Sequence, residues 1–127
     1  MTNRIEFYMV FLFSIGLAAM PAFAAKTPKV YSVTCDELRQ SMQTSTNTIV
    51  VYVRSAAEYQ TSHIEGALSR PLDTIPTASW PKTADIVLYC SGVGCPLSKT
   101  AAIELLRAGY VSARTLKGGL NDWESKG

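Results

Sequence analysis

Two short runs of apolar, largely β-branched residues constrain this chain more than any other feature. They are TIVVYV, residues 48–53, and DIVLYC, residues 85–90. Each is too short for a helix and too uniformly apolar for a strand with one wet face. Each therefore reads as a strand buried on both sides. A segment of helical character, rather than a tight turn, follows each run. Strands alternating with helices at short spacing imply an α/β sandwich of three layers, with a mostly parallel central sheet flanked by helices.

The flanking segments fit that scheme. VYSVTCDELRQSM begins extended and continues as a helix. Thr34 and Glu37 have capping-box spacing, and Val33 and Leu38 stand where a hydrophobic staple would. SAAEYQTS suits a short helix with Ser55 as its cap. HIEGALSRPLDTIPTASWPKT contains three prolines and reads as a long wrapping loop. In PLSKTAAIELLRAGY, residues Leu97, Ala101, Ala102, Leu105 and Leu106 share one helical face, and Gly109 is a natural stop. SARTLKGG offers a short strand and a glycine turn at Gly118 and Gly119, and LNDWESKG a final helical turn or two. Tyr110, Leu116 and Trp123 read as core.

The N-terminal stretch FYMVFLFSIGLAAM has the length of a signal-peptide core, and Ala22 and Ala24 supply the small residues of a cleavage box. The expectation is a signal peptide over 1–24 and one domain over 25–127. The competing reading, an uncleaved anchor, is disfavoured by Pro21 and the small-residue box. Cleavage predicts a periplasmic or secreted protein with no stable membrane insertion. Export places Cys35, Cys90 and Cys95 in an oxidising compartment, where an odd number leaves one thiol free or paired outside the chain. The formal net charge is +2 and no basic stripe is present, so nucleic acid is not an expected partner.

The second apolar run ends at Cys90. Ser91, Gly92, Val93 and Gly94 separate it from Cys95 and Pro96. Sites in open α/β sheets gather beyond the carboxyl ends of the strands. Two glycines can turn backbone N–H groups around one point, and the following helix adds its positive end. Such a nest favours a thiolate and would hold an anionic persulfide. Cys90 is thus the candidate nucleophile, and Ser91, Gly92, Val93, Gly94 and Cys95 the candidate binding loop. The bland alternative for Cys90 is a small buried apolar residue. Cys95 has two readings, a resolving thiol or half of a structural disulfide. Cys35, in the first turn of a capped helix, reads as packed and inert. His63 is the single histidine, and a Cys–His pair is one use for it. The spacing of these residues contains no matched ligand pairs, so neither a metal nor a cofactor is expected.

Three stretches together resemble the single-domain rhodanese-like family, from about Tyr31 to Gly127. They are VYVRSAAEYQTSHIEGA, IVLYCSGVGC and AAIELLRAGYVSARTLKGGLNDWESKG. The first is similar to the family's strand, Arg, Glu-Tyr and His-Ile-x-Gly-Ala pattern. The last is similar to its closing helix, Gly-Tyr, Leu-x-Gly-Gly and Trp pattern. In that family the cysteine after the IVLYC strand is the nucleophile, which here is Cys90. The resemblance implies a sulfurtransferase that moves a sulfane sulfur through a Cys90 persulfide to a thiol or other nucleophilic acceptor. Its partners would be a small sulfur donor or a persulfidated protein, and a thiol acceptor or redox partner protein. It also implies a structural role for His63 at a helix end. Arg54 and Glu58 read as a structural ion pair near the site rather than as catalysts.

The loop departs from the family pattern. Cys95 stands where arginine is common, SGVGCP carries no charge, and Tyr52 replaces an acid. The chain is similar in this to a two-cysteine, exported subset of the family. An uncharged loop attracts the thiosulfate dianion less than a basic one, and phosphatase chemistry would lack its arginine clamp. The alternatives to sulfur transfer are periplasmic dithiol/disulfide redox chemistry, or a non-catalytic partner-binding module with a Cys90–Cys95 disulfide.

Overall fold

The computed structural model describes residues 26–126, and the expected signal peptide lies outside them. The elements are β1 (Ser32–Val33), α1 (Cys35–Thr44), β2 (Thr48–Tyr52), α2 (Ala56–Thr61), β3 (Leu68–Ser69), a 3-10 helix (Leu72–Thr77), β4 (Asp85–Tyr89), α3 (Leu97–Arg107), β5 (Ser112–Leu116) and α4 (Gly119–Lys126). The strands form one sheet in the order β1-β5-β4-β2-β3, and every pairing is parallel. The three-layer α/β sandwich expected from the sequence is the one observed.

Both central strands are buried on both faces, as their composition requires. Val50, Tyr52, Val87 and Tyr89 point into one layer with Val33, Leu38, Ile64 and Leu120. Val51, Val53, Ile86 and Leu88 point into the other with Ile75, Ala101, Ala102 and Leu105. Burying each such large side chain stabilises the fold by roughly 1.5–3 kcal/mol relative to leaving it in water.

Local hydrogen bonds set the helix starts. Thr34 N–H donates to Glu37 Oε1 at 2.8 Å and Glu37 N–H to Thr34 Oγ1 at 3.1 Å, the expected capping box. Val33 and Leu38 are buried beside it. Ser55 and Glu58 form a second box that opens α2. Gly109, at φ 101°, follows the end of α3 in a conformation that favours glycine.

The segment read as a wrapping loop contains β3 and the 3-10 helix. A two-residue strand carries no periodicity for a sequence to display. The 3-10 turn accommodates Pro76 within it, although prolines ordinarily signal loop. Arg70 N–H donates to Tyr52 O and Leu72 N–H to Val53 O, each at 3.0 Å, so this segment is laced to the end of β2.

Adjacent strands β2 and β4 send their connections to opposite faces. Tyr59 of α2 packs against the first layer, whereas α3 packs against the second. Such a parting opens a crevice at the carboxyl ends of the two strands. Among the described residues, no helix is long and apolar enough to cross a membrane.

Candidate active-site loop

Cys90 follows β4 directly and exposes 2% of its surface. Beside it, Val53 N–H donates to Tyr89 O at 3.2 Å, which brings Arg54 to the mouth of the same crevice. The chain then reverses. Cys95 N–H donates to Gly92 O at 3.3 Å, and Gly94 takes φ 90°, a conformation costly for any side chain. The reversal brings Cys95 to Cys90, and the two form a disulfide with Cα atoms 6.2 Å apart. Both sequence readings of Cys95, a resolving thiol and half of a structural disulfide, require it to face Cys90, as it does here.

The amides of Ser91, Gly92, Val93 and Gly94 have no backbone acceptor among the described residues. Their hydrogen-bonding capacity is therefore not spent on the backbone of the loop. While the disulfide is closed, neither sulfur ionises, so the expected thiolate belongs to the reduced protein. Val93 is 91% exposed, which puts the tip of the loop in solvent.

Two elements hold the loop from outside. From the segment just after β2, Arg54 Nη1 donates to Ser91 Oγ at 3.3 Å, while its Nη2 lies 2.6 Å from Glu58 Oε2. The Arg54 hydrogen bond holds the Glu58 carboxyl below its ordinary range, with the Ser55 hydroxyl adding to the effect. From α4, Leu120 N–H donates to Cys90 O at 2.9 Å and Asn121 N–H to Ser91 O at 2.8 Å. The helix approaches so closely because Gly119 has no side chain. A Cβ there would lie 2.5 Å from Cys90 O and 2.9 Å from Gly92 N.

This contact from α4 was not foreseen from the sequence, where Gly118 and Gly119 read only as a turn. The signal available was the glycine pair standing directly before a helix. Nor does the sequence display the groove beside the loop. It encloses about 560 Å3, with Val53, Leu72 and Leu97 among its apolar lining. Its charged lining residues are Arg54, Glu58, Asp73 and Glu104.

The remaining candidates lie apart from the loop. His63 is exposed beyond the end of α2, stacked on Tyr59 with ring centroids 3.7 Å apart. Its Nδ1–H donates to Tyr59 O at 2.7 Å, which suits the structural role. No hydrogen bond joins it to Cys90 among the described residues. Cys35 is a free thiol, 3% exposed in the first core layer, and burial pushes its pKa up.

Comparison with known proteins agrees with this architecture. The family described as "Rhodanese-like domain" matches residues 34–126. A curated sulfurtransferase of Allochromatium vinosum is 31% identical over 101 residues, covering 77% of this chain and 92% of that protein. Among solved structures, a Bacillus halodurans protein is 29% identical, with a TM-score of 0.70 over 76% of this chain and 72% of its own. A human single-domain sulfurtransferase, 22% identical, shares the fold with a TM-score of 0.68 over 78% of this chain and 99% of its own.

Proposed function

The chain belongs to the rhodanese-like family, and from that premise we propose that Cys90 accepts a sulfane sulfur which Cys95 can discharge. The relatives support a sulfurtransferase-type function. The observation that carries the finer reading is the pairing of Cys90 with Cys95 at the carboxyl end of β4.

In the reduced protein, the Cys90 thiolate attacks the outer sulfur of a persulfide donor. The donor's S–S bond breaks, its thiolate leaves, and Cys90 holds the transferred sulfur among the loop amides. An acceptor thiol that reaches this sulfur takes it away and returns Cys90 to thiolate. Otherwise the Cys95 thiolate attacks Cys90 Sγ. The persulfide bond then breaks, sulfide departs with its electron pair, and the Cys90–Cys95 disulfide closes. Two thiol equivalents must reduce it before another turnover.

A persulfide suits this site better than thiosulfate. Three carboxylates and one guanidinium line the adjoining groove, and that guanidinium is paired with Glu58. A dianion gains little there. The buried position of Cys90 also favours a second reading, in which the disulfide only exchanges with partner thiols.

Intact mass separates the two. Pre-reduced wild type and Cys95→Ser are treated with a low-molecular-weight persulfide. The proposal expects Cys95→Ser to gain and keep one sulfur atom, and wild type to gain it transiently and end as the disulfide. Failure of both proteins to take up sulfur would leave only thiol exchange.

A further inference from the structure

We propose that reducing thiols open this site by attacking Cys95, which makes Cys95 the receiving sulfur and Cys90 the leaving one. The inference rests on the proposed cycle only in that the disulfide must be reopened between turnovers.

Access largely decides which sulfur of a disulfide a thiolate attacks. Cys90 exposes 2% of its surface. Its carbonyl is covered by Leu120 N–H, and the backbone of Gly119 lies against it without room for a Cβ. Cys95 is only half-buried, and its neighbours Val93, Gly94 and Pro96 are all exposed. The solvent side of the disulfide is therefore the Cys95 side.

The steps balance. The donor thiolate bonds to Cys95 Sγ, the Cys90–Cys95 bond breaks, and Cys90 leaves with the electron pair as thiolate. A second donor thiol then attacks the donor's sulfur in the mixed disulfide. Cys95 is released as thiolate and the donor becomes a disulfide. Two electrons have passed from two thiols to the pair. Between these steps Cys90 is free while Cys95 is blocked. A sulfur loaded in that interval cannot leave as sulfide by way of Cys95, and passes to an acceptor instead.

The test uses oxidised wild-type protein and 2-mercaptoethanol, a small uncharged monothiol. Samples are quenched at early times with N-ethylmaleimide in acid and the adducts are mapped by fragmentation mass spectrometry. Extrapolated to zero time, the mercaptoethanol adduct is expected on Cys95 and maleimide on Cys90, in at least about tenfold excess over the reverse pair. A predominance of the reverse pair, an even mixture, or a disulfide that forms no adduct would overturn the proposal. No sulfur donor is present, so this result is independent of sulfur uptake by the pre-reduced protein.

Discussion

Arg54 reaches across the crevice between β2 and β4 and donates from Nη1 to Ser91 Oγ at 3.3 Å. The same guanidinium is held by Glu58, so the orientation of the loop depends on a carboxylate in another element. Folded Glu58 binds its proton less readily than the unfolded chain does. The contribution of the pair is therefore complete above the ordinary carboxylate pKa of about 4.3. It declines as pH falls through the lower, folded value. Urea melts of wild type and Glu58→Gln should differ by a small, constant amount above about pH 5 and converge in stronger acid. A difference that persists there would show that Arg54 contributes nothing through this charge.

Gly119→Ala should destabilise the protein by about 2 kcal/mol or more, because φ 59° and the nearby Cys90 carbonyl both oppose a Cβ. Gly94→Ala is the comparison. Its φ of 90° is equally left-handed, but nothing lies within 4 Å of the added Cβ. Its cost should be the backbone term alone, about 1–2 kcal/mol. Denaturant midpoints in the opposite order would contradict the described contact between α4 and the loop.

Reduction should lower stability by about 2 kcal/mol, the chain-entropy value for a short loop. The two cysteines are separated by 5 in sequence. The melting temperature should fall by about 10 °C in reductant, and Cys95→Ser should show no further fall. An unchanged melting temperature in wild type would mean that the bond adds nothing to the fold.

Cys90→Ser should abolish sulfur uptake, since serine without an adjacent base is a far weaker nucleophile. Cys35→Ser should retain most of it, because Cys35 is buried with a raised pKa. Uptake scored by mass, with persulfide as donor, decides both. Full activity in Cys90→Ser would remove it from the mechanism.

The mature protein should begin at Ala25. N-terminal sequencing of protein recovered from the exported fraction checks this. A membrane-bound product retaining Met1 would contradict the expected leader.

The central strands were legible because burial on both faces leaves a composition that a sequence displays openly, as TIVVY and DIVLY do. The first capping box was legible for a similar reason. Thr34 and Glu37 are three positions apart, and their interaction is local. Cys90 was legible as a candidate because its position follows from the strand. Other parts of the site depend on contacts between distant segments. The glycine pair before the last helix hints at a close approach, but that the backbone admitted is the carbonyl of Cys90 depends on a distant segment. Leu72, Asp73 and Glu104 meet at the groove only after the 3-10 helix has packed on α3, and proline-rich sequence conceals that helix.

The borders of the sheet are β1 and β3, each only two residues long. Exposed apolar side chains stand there, Tyr31 just before β1 at 61% and Leu68 within β3 at 43%. A long, flat border with such residues would template the addition of strands from other molecules. Here an incoming strand finds too short a ladder to hold. The protein can thus keep a densely apolar sheet at its centre without offering its rim as the seed of a fibril.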